Sequence, residues 1–555
     1  MSAQRSSSNY ATTKTAIIFI SLFAIFTLLL SACGGGGSSS STKKADTLWI
    51  GEVGDQYVDN FNPYAGGSGG PPTEMIYESL IFTNLAKGTM NPWLASNWKF
   101  SPDNKQLTFT LQNNVKWNDG QPFTADDVAF TLNLMKQYPG MDVSAIWQYL
   151  TSVTAPDAHT VVVNFKAPNT PVLWYIGRLQ MLPKHIWSTV GDPIKYIDTK
   201  AVGTGPFTVK TFDPQIVTLT KNPNYWQPGK PTFSQIKYPI YKSNDTLLLN
   251  LISNQLDQAN IFAPNLDKNF VQRDPANHHY WLVPNDTVMF YPNNAKKPFN
   301  QLAVRQAISL ALDRDTMSKV AENGYEQVAN PTALILPNAK DYVAPQYANL
   351  TFKHDVQQAR QVLENAGYKK GSDGIYIDQS GSRLAFQIDV PSNFSDRVRL
   401  CQIAAENLKE AGMDVSVNTM SSNDWYNHKQ LGQYDVTIDS DGGGFNPYYY
   451  FNRTLNSVRS APIGKNSQSN FARWQDPTTD NLLKQFAATS DPNIQKQAIQ
   501  SIEKIFVEQV PTIPLLDAPQ WFEYNSSRFT GWPSKDNPYT TATAPEQIVL
   551  NLEPR

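Results

Sequence analysis

The clearest periodicity in the chain lies at Leu107, Phe109 and Leu111, which alternate with Thr108, Thr110 and Gln112 and predict a strand with one buried face. Thr124 with Asp127 three positions on marks a helix start, and Val128, Leu132 and Met135 recur behind it at helical spacing. Residues 161–165 predict another strand. Residues 355–366 read as a helix with Val356, Ala359, Val362 and Leu363 on one face and Gly367 placed to end it. Residues 398–411 repeat that layout. Gly412 ends them, and Val415, Val417 and Thr419 then alternate with polar residues, so helix, glycine and strand form an α/β unit. A further short strand at 434–438 is expected to deliver Asp439 and Asp441 into a loop at Gly442, Gly443 and Gly444. Ligands of open α/β sheets commonly sit beyond such strand ends.

Upstream of these elements the pattern changes. Arg5 and Lys14 precede an apolar run from Ala16 to Leu30, followed by Ser31, Ala32 and Cys33. This is the layout of an export signal, and as a helix the run would reach only about 22 Å, short of the roughly 30 Å a spanning helix must cross. The segment before Cys33 resembles the lipobox of bacterial lipoproteins, which predicts a signal peptide at 1–32 and a lipid on Cys33. Gly34 to Gly37 and Ser38 to Ser41 follow as a flexible tether, taken as 33–45.

Composition narrows the rest. Beyond the tether more chain remains than one core accommodates, and 41% of residues are hydrophobic, so at least two lobes are expected. The formal net charge is −2 without a basic cluster, which gives no electrostatic footprint for nucleic acid. After Cys33 only Cys401 remains, on an apolar face with Ala404, Leu408 and Ala411, so it reads as a core residue and no intramolecular disulfide is available to the mature chain.

Enzyme motifs fail on context. Gly66-Gly67-Ser68-Gly69-Gly70 matches G-x-S-x-G, but no buried strand precedes it and Pro71-Pro72 follow. The six histidines have no metal-ligand spacing. Asp439, Asp441 and Gly444 would begin a calcium loop whose twelfth position is Tyr450 instead of glutamate. No P-loop occurs, so the chain is not expected to hydrolyse ATP itself. A paired-carboxylate hydrolase stays open, because carboxylate separation is a property of the fold and not of spacing.

Several separated stretches together resemble the family 5 extracellular solute-binding proteins, the peptide- and nickel-binding class that serves ABC importers. They are Asn91-Pro92-Trp93-Leu94-Ala95, Val115 to Gly120, Pro122 to Val128, Gly203 to Phe207, Asn222 to Trp226, Val304 to Ile308 with Asp313-Arg314, Ala366-Gly367-Tyr368, and Pro511 to Leu515. Locally these are turns, a helix cap and a tight bend at Gly203 to Pro206; their shared order carries the resemblance.

The resemblance implies a two-lobed periplasmic-binding-protein-like α/β fold (type II, cluster C) with an extra subdomain inserted in the first lobe, closing over ligand by a hinge. Lobe I would comprise 46–75, 200–288 and 505–555, the inserted subdomain 76–199, and lobe II 289–504. It further implies a monomeric, non-enzymatic binding lipoprotein without cofactor, on the outer face of the cytoplasmic membrane, that captures oligopeptides and delivers them to a permease with separate ATPase subunits. In peptide binders an aspartate after a late strand pairs with the ligand's ammonium group, and Asp439 and Asp441 occupy that region; the local alternative is an aspartate bonding glycine amides. Oligosaccharide-binding members stack sugars on aromatic rings. Trp425, Tyr448, Tyr449 and Tyr450 flank the same loop, and Gly531-Trp532-Pro533 to Asn537-Pro538-Tyr539 resembles a feature of those members. Asn62 follows the first mature strand, expected at 48–53, where the lobes should face each other. Nickel or haem binding has no supporting histidine cluster or Met-rich motif.

Overall fold

The alternating run at 107–111 builds the strand Gln106–Leu111, with Leu107, Phe109 and Leu111 buried. The structure is a computed structural model describing residues 45–555 except 66–69, 143, 337, 443, 468 and 543. Cys33, the apolar run at 16–30, most of the tether, Ser68 and Gly443 lie outside the described residues. The 106–111 strand sits inside a four-stranded antiparallel sheet ordered Ala95–Phe100, Gln106–Leu111, Thr160–Phe165, Leu150–Asp157. Beside it runs the helix Ala125–Gln137, where the Asp127 carboxylate accepts from the Thr124 backbone amide at 2.9 Å, the reciprocal bond that fixes a helix start.

The first mature strand is two short pieces, Thr47–Trp49 and Glu52–Val53, both parallel to Gln235–Tyr241. That strand continues antiparallel to Ile216–Lys221, which pairs with Phe207–Thr211. This sheet and the four-stranded one share a single hydrophobic core, the first lobe.

The second lobe is built on a six-stranded mixed sheet ordered Gln327–Val328, Ile513–Gln520, Val283–Pro292, Val436–Gly442, Ala385–Pro391, Asp414–Met420. Both of its faces are covered. Along Val283–Pro292, Val288 and Phe290 enter a core under the helices Leu302–Ala311, Val356–Asn365 and Ser395–Glu410. Met289 and Tyr291 enter a different core under Pro447–Thr454, Pro477–Ala487 and Pro492–Gln509. The two predicted helices end as expected, with Gly367 and Gly412 both at φ +90°, the left-handed conformation that glycine adopts at no steric cost. Cys401 is fully buried in the first of these cores, and burial pushes its thiol pKa up. The strand that enters this sheet and the one that leaves it are antiparallel neighbours, with Val283 opposite Gln520, so the two chain crossovers run side by side.

Candidate functional site

The strand expected at 434–438 extends to Gly442, because Val283–Pro292 offers it a partner along its whole length: Asp439 lies opposite Met289 and Asp441 opposite Thr287. Both aspartates therefore sit within the sheet, not in a glycine loop. They share the face of Tyr291, and both are committed to internal partners. Asp441 is 4% exposed, lies 3.0 Å from the Arg453 Nε and accepts from the Tyr291 hydroxyl at 3.5 Å. Burial pushes its pKa up to about 7, with Arg453 opposing and Asp439 and Asp286 reinforcing the shift. Asp439 accepts from the buried Lys429 ammonium at 2.5 Å, and that ammonium lies 4.0 Å over the Trp425 ring. Trp425 in turn donates its indole N–H to Thr437 Oγ1 at 2.9 Å.

The remaining predicted residues are placed elsewhere. Tyr448 stacks on Phe486 at 4.6 Å. Tyr449 reaches across to the helix Val172–Gly177: its hydroxyl donates to the Pro171 carbonyl at 3.0 Å and its ring lies 4.4 Å from Trp174. Asn62 is fully buried, donating from Nδ2 to the carbonyls of Pro193 and Tyr196 at 2.8 and 2.9 Å while Oδ1 accepts from the Tyr64 amide. It stitches an early loop to residues 193–196 and presents nothing to a cleft.

A cavity of about 530 Å³ lies within the second lobe around Asp313, Arg314 and Phe352, and three others lie where the first lobe meets the crossovers and the loops of the second. One cavity of about 300 Å³ is walled by Tyr77, Phe82, Trp93, Trp174, Arg178 and Glu546. A second of about 410 Å³ is walled by Glu52, Tyr238, Gln258, Asn260, Gln520 and Trp521. Glu74 lines both. A third, of about 40 Å³, shares Leu85 with the first and adds Asn285, Asn338, Phe445 and Tyr450. The C-terminal segment touches all three through Thr541, Ala542, Ala544, Pro545 and Glu546.

The charges in these walls are unevenly satisfied. Glu78, in the first cavity, accepts from the Trp93 indole at 2.9 Å, the Tyr225 hydroxyl at 3.0 Å and the Trp226 indole, which oppose the rise to about 7 that burial imposes. Glu52 and Glu74 have no hydrogen bond or ion pair among the described residues, and burial pushes both to about 7 and Glu546 to about 8. Glu74 stands open to the cavity, so cavity water screens it more than its neighbours. Arg178 makes no ion pair among the described residues either; its guanidinium lies 4.4 Å over Trp174, and burial lowers its pKa.

These shifts fix the sign of a pH dependence. Water discounts the shift of Glu74, whereas a carboxyl such as Glu52 or Glu546, raised from an ordinary 4.5 to 7 or 8, holds its proton in the folded chain where the unfolded chain has lost it. Its stabilising contribution is complete below about pH 4.5 and is lost as pH rises through the folded values. The ligand-free protein is therefore expected to melt at a higher temperature at about pH 6 than at about pH 8, and calorimetry showing the reverse order would refute this reading of the cleft carboxyls.

Sequence reasoning missed Glu52, Glu74, Glu546 and Arg178. The available signal was charge at positions flanked by buried apolar residues, as with Glu74 before Met75 and Ile76.

A family model described as bacterial extracellular solute-binding proteins, family 5 middle, matches residues 89–461. The nickel-binding periplasmic protein of Escherichia coli K12 is 25% identical over 450 residues, covering 77% of this chain and 82% of its own. A periplasmic oligopeptide-binding protein of an ABC transporter from Thermotoga maritima superposes with a TM-score of 0.84 at 24% identity, covering 92% of this chain and 99% of its own. The same protein with mannohexaose bound superposes at 0.79, with the same identity and coverage.

Proposed function

Because the chain belongs to the bacterial extracellular solute-binding proteins of family 5, we propose that it is the receptor of an ABC importer, capturing oligopeptides between its lobes for a membrane permease. Proteins of this family are extracellular or periplasmic binding proteins of ABC transporters, not enzymes. The peptide reading rests on one observation: the cavities hold unpaired charges of both signs, Glu52 in one, Arg178 in the other and Glu74 in both, with side-chain amides and aromatic rings in the walls. An extended zwitterion with apolar side chains supplies the complement of each, and Arg178 suits its carboxylate end.

Export and lipidation at Cys33 hold this receptor at the outer face of the membrane as a monomer on a Gly/Ser tether. Residues 46–75, 200–288 and 505–555 form one lobe with 76–199 inserted, and 289–504 form the other. Two acyl chains on Cys33 suffice for stable anchoring.

Oligosaccharide capture is the second reading, favoured by the indoles of Trp93, Trp174 and Trp521 in the cavity walls and by the neighbour solved with mannohexaose. A thermal-shift screen of the soluble chain from residue 46 against pooled tripeptides and pooled oligosaccharides separates the two. Ligand at 100 times its Kd adds about 2.7 kcal/mol, so a clear shift with peptides is expected. A shift with oligosaccharides alone moves the assignment to sugars.

A further inference from the structure

The cavity walled by Glu52, Glu74 and Tyr238 is short of positive charge. No cation lines it among the described residues beside Glu52 and Glu74, and Glu74 also lines the adjoining cavity with Glu546 and the one cation there, Arg178. Glu52 is half-buried and Glu74 stands open to the cavity, and a carboxylate even partly withdrawn from water is ordinarily paired. The carboxylates are not the only unmet groups. Tyr238 is 1% exposed, lines the cavity, and its hydroxyl has no hydrogen-bond partner among the described residues. Tyr57, whose ionisation is opposed by the charge of Glu52, likewise has a buried hydroxyl without a partner. Gln258, Asn260 and Gln520 complete the polar wall. Among the described residues no three His, Cys, Asp or Glu side chains gather closely enough to hold a metal ion.

We propose that this cavity is an ammonium subsite, in which Glu52 and Glu74 pair with a primary amine of the ligand while the Tyr238 hydroxyl accepts one of its hydrogens. A small ammonium carries three donors, and two carboxylates and a hydroxyl are three acceptors for them. The subsite lies where Glu52–Val53 pairs with Gln235–Tyr241 beside the helix Pro71–Glu74, and not on the Asp439 and Asp441 strand, whose charges Lys429 and Arg453 already meet. This rests on the cleft being the ligand site, but the amine need not belong to a peptide.

The test therefore carries the amine on two backbones. Wild type, the Glu52→Gln/Glu74→Gln double variant and Tyr238→Phe are titrated with free and N-acetylated tripeptides, and with glucosamine oligomers and their N-acetylated counterparts. On whichever backbone binds, the free amine is expected to bind at least tenfold more tightly than the acetylated form. The double variant should lose that preference while melting no lower than wild type, and Tyr238→Phe should weaken amine binding severalfold without lowering the melting temperature. Equal binding of free and acetylated forms, or an unchanged preference in the double variant, overturns the subsite and leaves peptide capture standing. Binding of glucosamine oligomers alone, with the amine preferred, overturns the peptide reading and supports the subsite.

Discussion

Trp174→Ala is expected to weaken ligand binding by about 30–150-fold and to enlarge the ligand-free molecule in solution scattering. Trp174 lies on the short helix Val172–Gly177, and its ring meets Tyr449 on the helix Pro447–Thr454 at 4.4 Å, with Phe445 at 6.4 Å and Arg178 at 4.4 Å around it. The hydrogen bonds beside it span the same junction. The Thr170 amide donates to the Ala487 carbonyl at 2.8 Å, and the Tyr449 hydroxyl donates to the Pro171 carbonyl. In the hinge closure that the proposed function requires, these contacts form only when the two sides are together, so their free energy belongs to the closed state. Losing about 2–3 kcal/mol of aromatic packing there shifts the population toward the open form, and apparent affinity falls tenfold for each 1.4 kcal/mol. Because Trp174 also walls the cavity that holds Arg178, the scattering measurement is needed beside the titration. Weakened binding with unchanged dimensions would make Trp174 a ligand contact only and remove its part in closure.

The fold was legible in the sequence only as far as local pattern reaches. The strand at 107–111, the capped helix after Thr124 and the helices ended by Gly367 and Gly412 need no information from distant residues, because side-chain period and cap chemistry are local. Asp439 and Asp441 show where that logic stops. Val436 and Ile438 alternate with Thr437, Asp439 and Asp441 in the way of a strand with one wet face. The second face is nevertheless buried, and Lys429 and Arg453, from two other helices, neutralise its charges. Nothing near residue 440 announces those partners. The cleft is less legible still: Glu52, Glu74, Tyr238, Gln520 and Glu546 come from five segments joined only by tertiary packing, so no spacing could have assembled them.

Gly203→Ala is expected to cost more than about 3 kcal/mol, enough to lower soluble yield and the denaturant midpoint sharply, whereas Gly191→Ala should stay within about 0.5 kcal/mol of wild type. The contrast isolates the cause. A Cβ built on Gly191 meets nothing within 4 Å, but one built on Gly203 runs into the carbonyl oxygen of Ile76, with the Ile76 carbonyl carbon 2.6 Å away. A flexible side chain could yield; this backbone cannot. The Ile76 carbonyl is fixed by the Gly205 amide at 2.9 Å, the Met75 carbonyl by the Phe207 amide at 3.2 Å, and the Gly203 carbonyl accepts from the Asn118 amide at 2.9 Å. The sequence suggested a tight bend at 203–206, and the physical requirement proves to be the close approach of two backbones. Residues 75 and 76 also carry Glu74, Tyr77 and Glu78 on either side, so this crossing sets one wall of the cleft. Any Gly203→Ala protein that folds should therefore bind ligand more weakly than its stability loss alone accounts for. A soluble variant with wild-type affinity would separate the crossing from the site.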